Sequence, residues 1–395
     1  MSLLQVTYDR LGYTQSKNGT TMSNAWPHPR RGRGHRHKDQ DRANREQAVE
    51  QKVKDPVPHG ICMTMCPANE LRQRKAQNRL HKFEMVPGTE RDRLPRADVL
   101  CAVKEYSRPA AGKDSTRPSD LRPSSALLKT VCYLVDDIAA SKTFQPWTEV
   151  YSFVFDRLRS VRQDMIIQRL SGPECVTMLE KSVRFLLYAS YRLCGQPLQY
   201  FDPRINDTHL QETLSWLLEC YREGKHQHQE AFQALSLLYN LGSFHTMQHA
   251  LQLPERIRHS PAVQLALAVS RAHTEGNPVR FLRLAQRLDF MQVCALHRHL
   301  LSCRRDLLLL YSHGYNSHNC RYPLQRLSRL LFLKEPLAAE LCQVHGVNIS
   351  REWVIFSKNS FTESPSGDLQ CRHMHEPVDD EKWNCNSDGI IHSCD

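Results

Sequence analysis

Two cysteines in GICMTMCPANE (60–70), Cys62 and Cys66, have the first spacing along the chain that could serve metal ligation, thiol exchange or simple packing. Structural zinc takes about four ligands, and only His59 and His81 stand nearby, at irregular spacing. A redox pair more often reads Cys-x-x-Cys on a βαβ unit, and no such unit is present. Packing remains. Pro67 suits the first turn of a helix and Glu70 its positive end, so Met65-Cys66-Pro67 reads as the start of a helix over ANELRQRKAQNRLHKFE (68–84). Ile61, Cys62, Met65 and Cys66 then form a small apolar plug, in which Cys66→Ser costs about 1 kcal/mol or more.

The other chemistry-bearing residues point the same way. Cys371, His373, His375, Cys385, His392 and Cys394 contain no cysteine pair at zinc-site spacing, so neither metal nor cofactor is assigned. There is no G-x-x-x-x-G-K-[ST], G-x-G-x-x-G, G-x-S-x-G or H-E-x-x-H, and the chain reads as a non-enzyme. In YSFVFDRLRSVRQDMIIQRL (151–170), Val154, Leu158, Val161 and Met165 form an apolar stripe. Arg157, Asp164 and Gln168 border it on one edge and Arg162 on the other, while Arg159 and Gln163 point outward and are freer to bind something. The bordering groups suit either a recognition surface or, more ordinarily, a polar lock between packed helices. Arg304, Arg305, Arg321, Arg326, Arg329 and Lys334 cluster near the end of the patterned region, where they could neutralise phosphates. No aromatic platform for base stacking is evident beside them.

The elements that must position these residues are helical. From about 120 to 313 the chain reads as helices of roughly 12 to 20 residues broken by Gly, Pro, Asn or Asp, near 124–141, 148–170, 174–195, 206–221, 228–241, 261–274, 278–288 and 290–312. In NDTHLQETLSWLLECYREG, Leu210, Leu214, Leu217, Leu218 and Tyr221 share one face, with Asn206 or Asp207 as the cap. Antiparallel pairs of this length stack into an all-α, TPR/PCI-like helical-repeat solenoid. PLQRLSRLLFL (323–333), EPLAAELCQVHG (335–346) and the β-branched, aromatic VNISREWVIFSKNSF (347–361) follow in the order of a winged-helix module. The reading divides the chain into a disordered basic leader (1–55), a helical body (56–313), a winged helix (314–361) and an acidic disordered tail (362–395).

Charge sharpens the partner class. The net charge is +11. Residues 1–55 carry eleven Lys/Arg against six Asp/Glu and residues 351–395 four against nine, which leaves a basic folded body suited to nucleic acid or an acidic protein. The fourteen cysteines are scattered singly through helical patterns with no apparent signal peptide, as in an intracellular protein with reduced thiols. No apolar run approaches the roughly 18 residues of a membrane span.

Four stretches, in order, resemble the signature of the SAC/GANP family: GICMTMCPANE; VKEYSRPAAGK (103–113) with DLRPSSALLKTVCYLVDDI (120–138); FVFDRLRSVRQDMIIQ (153–168); and FDPRINDTHLQETLSWLLECY (201–221). By match to the family pattern, Cys62, Met65, Cys66, Pro67 and Glu70 are the opening signature. Arg108, Pro109, Ala110, Ala111 and Gly112 approach the body, and Asp156, Arg157, Arg159, Arg162, Gln163 and Asp164 form the hallmark helix. The resemblance implies a PCI-related scaffold. In export members it pairs with a second PCI-type subunit and a small acidic protein, and the joined winged helices bind nucleic acid such as RNA. This chain shows neither the Phe-Gly repeats nor the long centrin-binding helix of those members. Its layout resembles the short single-module branch linked to centrosome duplication, spindle organisation and mitotic progression, so the implied location is cytoplasm, centrosome and spindle, or the nucleus for an export adaptor.

Overall fold

The structure, a computed structural model, describes residues 57–108, 117–141, 146–317 and 319–363. The leader 1–55, Pro109 to Gly112 and the Cys/His residues of the tail lie outside the described residues. Thirteen α-helices run through the described residues. In order they are α1 (Ala68–Ala76), α2 (Ser124–Cys132), α3 (Trp147–Ile167), α4 (Pro173–Arg192), α5 (Pro203–Cys220), α6 (Gln229–Tyr239) and α7 (Phe244–Leu251). The remaining helices are α8 (Glu255–Arg258), α9 (Pro261–Thr274), α10 (Pro278–Ala285), α11 (Phe290–Gly314), α12 (Leu324–Leu331) and α13 (Glu335–Val344). Three short strands, β1 (Tyr322–Pro323), β2 (Asn348–Ser350) and β3 (Trp353–Ile355), form an antiparallel sheet in the order β1-β3-β2.

Local chemistry sets most helix starts. Pro occupies the first turn of α4, α5, α9 and α10, where its missing N–H has no intrahelical partner to lose. Asp202, Ser243, Ser260, Asn277 and Asp289 cap the orphan N–H groups of α5, α7, α9, α10 and α11 through their side chains. The cap of α5 is thus Asp202, not Asn206 or Asp207, because Pro203 lets the helix begin a turn earlier. Asn206 is instead buried, donating to the Leu186 carbonyl (3.1 Å) and accepting from the Tyr151 hydroxyl (3.3 Å). After α2 the chain continues as a π-helix over Tyr133–Ala139, a widened turn that buries Leu134, Val135 and Ile138 together.

The helices stack as an all-α solenoid. α4 packs on α5 and α2, α6 on α9, and the 25-residue α11 runs against α4, α6 and α10 as a spine. One apolar core extends from Met65 through the helical stack to Leu324, Leu327, Leu331, Val354 and Phe356. The winged helix therefore shares the body's core. Two short helices, α7 and α8, and the strand β1 are absent from the sequence reading. α8 is a single turn and α7 buries only Ala250, so neither carries an apolar stripe at helical spacing, and β1 exists only because Tyr322 pairs with Val354.

Two boundaries differ from expectation. The helix expected over 68–84 ends at Ala76: Asn78 takes a left-handed conformation (φ 53°), the chain reverses, and a 3₁₀ turn over Lys82–Glu84 follows. That reversal brings Glu84 back against Arg74. At the other end, Thr362 is pinned and does not open a free tail: its N–H donates to the His345 carbonyl (3.0 Å), and Phe361 stacks on the His345 ring at 5.4 Å. Gly346 (φ 71°) permits this approach, since a Cβ there would collide with the Ser360 carbonyl.

A buried charge lock and a basic face

Helical spacing along α3 sorts its polar residues into rows with different tasks. Arg157, Ser160, Asp164 and Gln168 lie at i, i+3, i+7 and i+11 and face the N-terminal segment. Asp164 is fully buried and accepts from Arg122 Nε (2.8 Å) and Lys104 Nζ (2.7 Å). Arg122, also fully buried, donates on to Ser160 Oγ (3.0 Å) and the Met65 carbonyl (3.2 Å). Gln168 donates to the Arg122 carbonyl (2.8 Å) and accepts from the Gly60 N–H (2.8 Å). Only glycine fits at 60, because an added Cβ would lie 2.6 Å from the Leu121 carbonyl oxygen.

A second centre forms around Glu84. Its carboxylate receives Arg74 Nη1 (2.7 Å), the Val103 N–H (2.9 Å), the His81 N–H (3.1 Å) and Arg157 Nη2 (3.3 Å). Burial alone would raise the Glu84 pKa, yet Arg157 and Arg74 together hold it below the ordinary carboxylate range. Arg74 also donates to the Val103 carbonyl (2.9 Å) and to Cys66 Sγ (3.2 Å). The expected apolar plug is thus only partly apolar. Met65 joins the main core and Cys66 a small cluster with Leu71 and Ala102, while Ile61 is 66% exposed and Cys62 turns to Thr64. Pro67 stands at the N-cap of α1, one position before the first turn and with no capping side chain, and Glu70 accepts from the Glu105 N–H (2.7 Å).

Burial pushes the Cys66 thiol up to about 11, with Glu70 adding to the shift, so it is protonated at neutral pH and no nucleophile. Because its sulfur accepts from Arg74, the cost expected for Cys66→Ser is revised. Serine keeps an acceptor for that guanidinium, whereas Cys66→Val removes it. Thermal melts should rank Cys66→Val below Cys66→Ser, with the serine variant within about 1 kcal/mol of wild type. The reverse order would mean that the slot is apolar after all.

The outer row of α3 is not free, in contrast to the sequence reading. Asp156 accepts from the Tyr106 N–H (3.2 Å) and pairs with Arg157, Arg159 lies 4.0 Å over the Tyr106 ring, and Gln163 donates to the Ser107 carbonyl (3.0 Å). These three, at i, i+3 and i+7, clamp the strand-like segment that ends at Arg108. Arg162 faces the other way, donating to Thr213 Oγ1 (2.9 Å) and the His209 carbonyl (3.1 Å) of α5 and pairing with Glu212 (3.0 Å). The cavity beside it, between α3, α4 and α5, measures about 20 Å³, room for little more than a water molecule. The hallmark helix is thus a clamp that holds three segments.

The winged-helix arginines divide. Arg304 is 1% exposed and is corrected from a nucleic-acid contact to a structural strap. Its guanidinium donates to the carbonyls of Leu331 (2.8 Å) and Phe332 (3.2 Å), satisfying the orphan acceptors where α12 ends in a left-handed residue. Arg305 is exposed but paired with Asp306 at 2.7 Å. Arg321, Arg326, Arg329 and Lys334 are exposed. Gln286 donates to the Arg329 carbonyl (2.9 Å), which joins α10 to α12, so that the exposed Arg283 and Arg287 and the exposed Arg326 and Arg329 lie on neighbouring elements. Tyr311, Tyr315, Tyr322 and Phe356 meet at 5.0 to 6.2 Å on this module, an aromatic cluster the sequence reading missed. Only the i, i+4 pair Tyr311/Tyr315 hinted at it.

Among the described residues no group of three or more His, Cys, Asp or Glu is placed to hold a metal, and no helix is long and apolar enough to cross a membrane. The SAC3/GANP family profile matches residues 65–351, from the latch to the wing. The chain is similar to SAC3 family protein 1 of Schizosaccharomyces pombe, 29% identical over 317 residues, which covers 74% of this chain and 30% of that protein. It is similar to Protein xmas of Drosophila melanogaster (28% over 310 residues; 74% of this chain, 15% of that protein). SAC3 family protein B of Arabidopsis thaliana is another relative (28% over 313 residues; 73% and 18%). The chain thus spans less than a third of the length of each of these relatives. With the profile running from Met65 through the buried charges of the lock and the helical stack into the winged helix as far as Arg351, the chain belongs to the SAC3/GANP family, a family of scaffold-type proteins.

Proposed function

We propose that this chain works as a non-enzymatic scaffold that offers the end of its helical stack to protein partners, a second PCI-type subunit and a small acidic protein among them. The observation that carries this reading is the single core joining stack and winged helix, with the hallmark charges consumed inside and basic residues left outside. Such a body is stiff and presents surfaces without a substrate-sized pocket at its hallmark helix. The role in centrosome duplication, spindle organisation and mitotic progression, in the cytoplasm, rests on the family resemblance. Its test is the tagged full chain imaged through division together with depletion. A diffuse signal and normal centrosome number would remove it.

A second reading, an mRNA-export or RNA-binding adaptor in the nucleus, is favoured by one specific feature: the exposed Arg321, Arg326, Arg329 and Lys334 on the module that also carries the tyrosine cluster. Phosphate contacts release counterions, so RNA affinity of the full chain should fall linearly on a log scale with salt. Neutralising Arg326 and Arg329 should reduce that slope by about 1.4. Affinity indifferent to salt, or to Arg326→Gln/Arg329→Gln, would remove the nucleic-acid role and leave the scaffold.

A further inference from the structure

Among the described residues, no acid forms an ion pair with Arg283, Arg287, Arg326 or Arg329, which α10, its end and α12 expose. Arg326 and Arg329 sit one turn apart on α12, and the exposed Arg283 and Arg287 belong to α10 and its end, which packs on α12 through the Gln286–Arg329 hydrogen bond. Among the described residues, Arg287, Arg321, Arg326 and Arg329 make no ion pair, whereas the exposed Arg271, Arg280 and Arg298 elsewhere on the body all do. A cluster of like charges without counter-charges raises the local potential and favours any polyanion that reaches it.

The chain carries such a polyanion in the sequence that follows the winged-helix module. Residues 364–395 hold seven acidic residues against Arg372 and Lys382, with Glu376, Asp379, Asp380 and Glu381 concentrated in EPVDDE (376–381). The described chain ends on the same module, at the residues pinned to the C-terminal end of α13 by the Thr362–His345 hydrogen bond and the Phe361–His345 stack. From Glu363 to Glu376 the tether reaches up to about 43 Å when extended, against about 15 Å for the length of α13. A tether of this size holds its end at an effective concentration on the order of millimolar, enough for a weak ionic contact to be populated.

We propose that EPVDDE (376–381) seats on the basic face formed by Arg283, Arg287, Arg326 and Arg329, so that the chain supplies its own acidic occupant for that face. An external polyanion then binds only by displacing it. This inference uses the face alone and does not need the RNA reading to hold. The competing occupant for the segment is the basic leader, with RRGRGHRHK at 30–38.

The experiment uses the full chain and heparin as the polyanion probe. Replacing Glu376→Gln, Asp379→Asn, Asp380→Asn and Glu381→Gln together should raise heparin affinity about threefold to tenfold at low salt, a gain that vanishes in the Arg326→Gln/Arg329→Gln background and at high salt. Carbodiimide coupling at low salt, read by mass spectrometry, should join carboxylates of 376–381 to Lys334 or Lys358 of the module. Heparin affinity unmoved by the tail substitutions, a gain that persists without Arg326 and Arg329, or cross-links confined to leader lysines such as Lys38 would each overturn the proposal. If RNA does not bind yet the heparin gain appears, the intramolecular contact stands and only the RNA reading falls.

Discussion

Asp164→Ala is expected to destabilise the protein by about 3–5 kcal/mol, because it strands the fully buried Arg122 without its counter-charge and deprives Lys104 of its carboxylate. The size follows from desolvation: a paired internal charge is tolerable, and an unpaired one carries its whole solvation penalty. Chemical denaturation should show the midpoint falling by that amount. The segments held by this centre, around Met65 and Asp120, should become sensitive to protease before the rest of the stack. The double change Arg122→Met/Asp164→Leu should recover a large part of the loss, since it replaces the pair with apolar groups of similar volume. A single-variant loss under about 1 kcal/mol would show that the pair is solvated and no lock.

Glu84→Gln is the second large effect, again about 3–5 kcal/mol at neutral pH, as Arg74 and Arg157 are 2% and 5% exposed. It also has a pH signature. The folded-state pKa of Glu84 is held below the unfolded value, so its contribution is fully present above the unfolded value of about 4.3 and is lost as pH falls through the folded one. The stability gap between wild type and Glu84→Gln should be flat above about pH 5 and close progressively at lower pH. A gap that stays constant down to acid unfolding would assign the cost to shape and not to charge.

Most of the helical body was legible because its information is local. The stripe Val154, Leu158, Val161 and Met165 repeats at helical spacing, and all four are buried; Leu210, Leu214, Leu217 and Tyr221 behave alike. Prolines and capping residues mark the starts within a turn, and the error at α5 arose from overlooking Pro203 behind Asp202. The helices α7 and α8 are not legible because α8 is a single turn and α7 buries only Ala250, which leaves no apolar stripe to read.

The charge lock was legible only as a choice. Helical spacing put Arg157, Asp164 and Gln168 on one edge of α3, yet their partners Glu84, Arg122 and Gly60 come from 42 to 108 residues away in sequence. Arg159 and Gln163 were misread for the same reason: nothing in α3 announces that Tyr106 and Ser107 lie across them. Arg304 looked like its exposed neighbours until the end of α12 came within reach of its guanidinium.

Sequence alone specified the longer helices of the stack and their apolar faces, since periodicity, prolines and caps act within a few residues of one another. It also determined the charge partition between leader, body and tail, which is a matter of composition. Which charges are spent inside the molecule and which remain for partners was decided by tertiary structure alone. A buried guanidinium needs an acceptor brought by another segment, and that meeting exists only once the helices have packed.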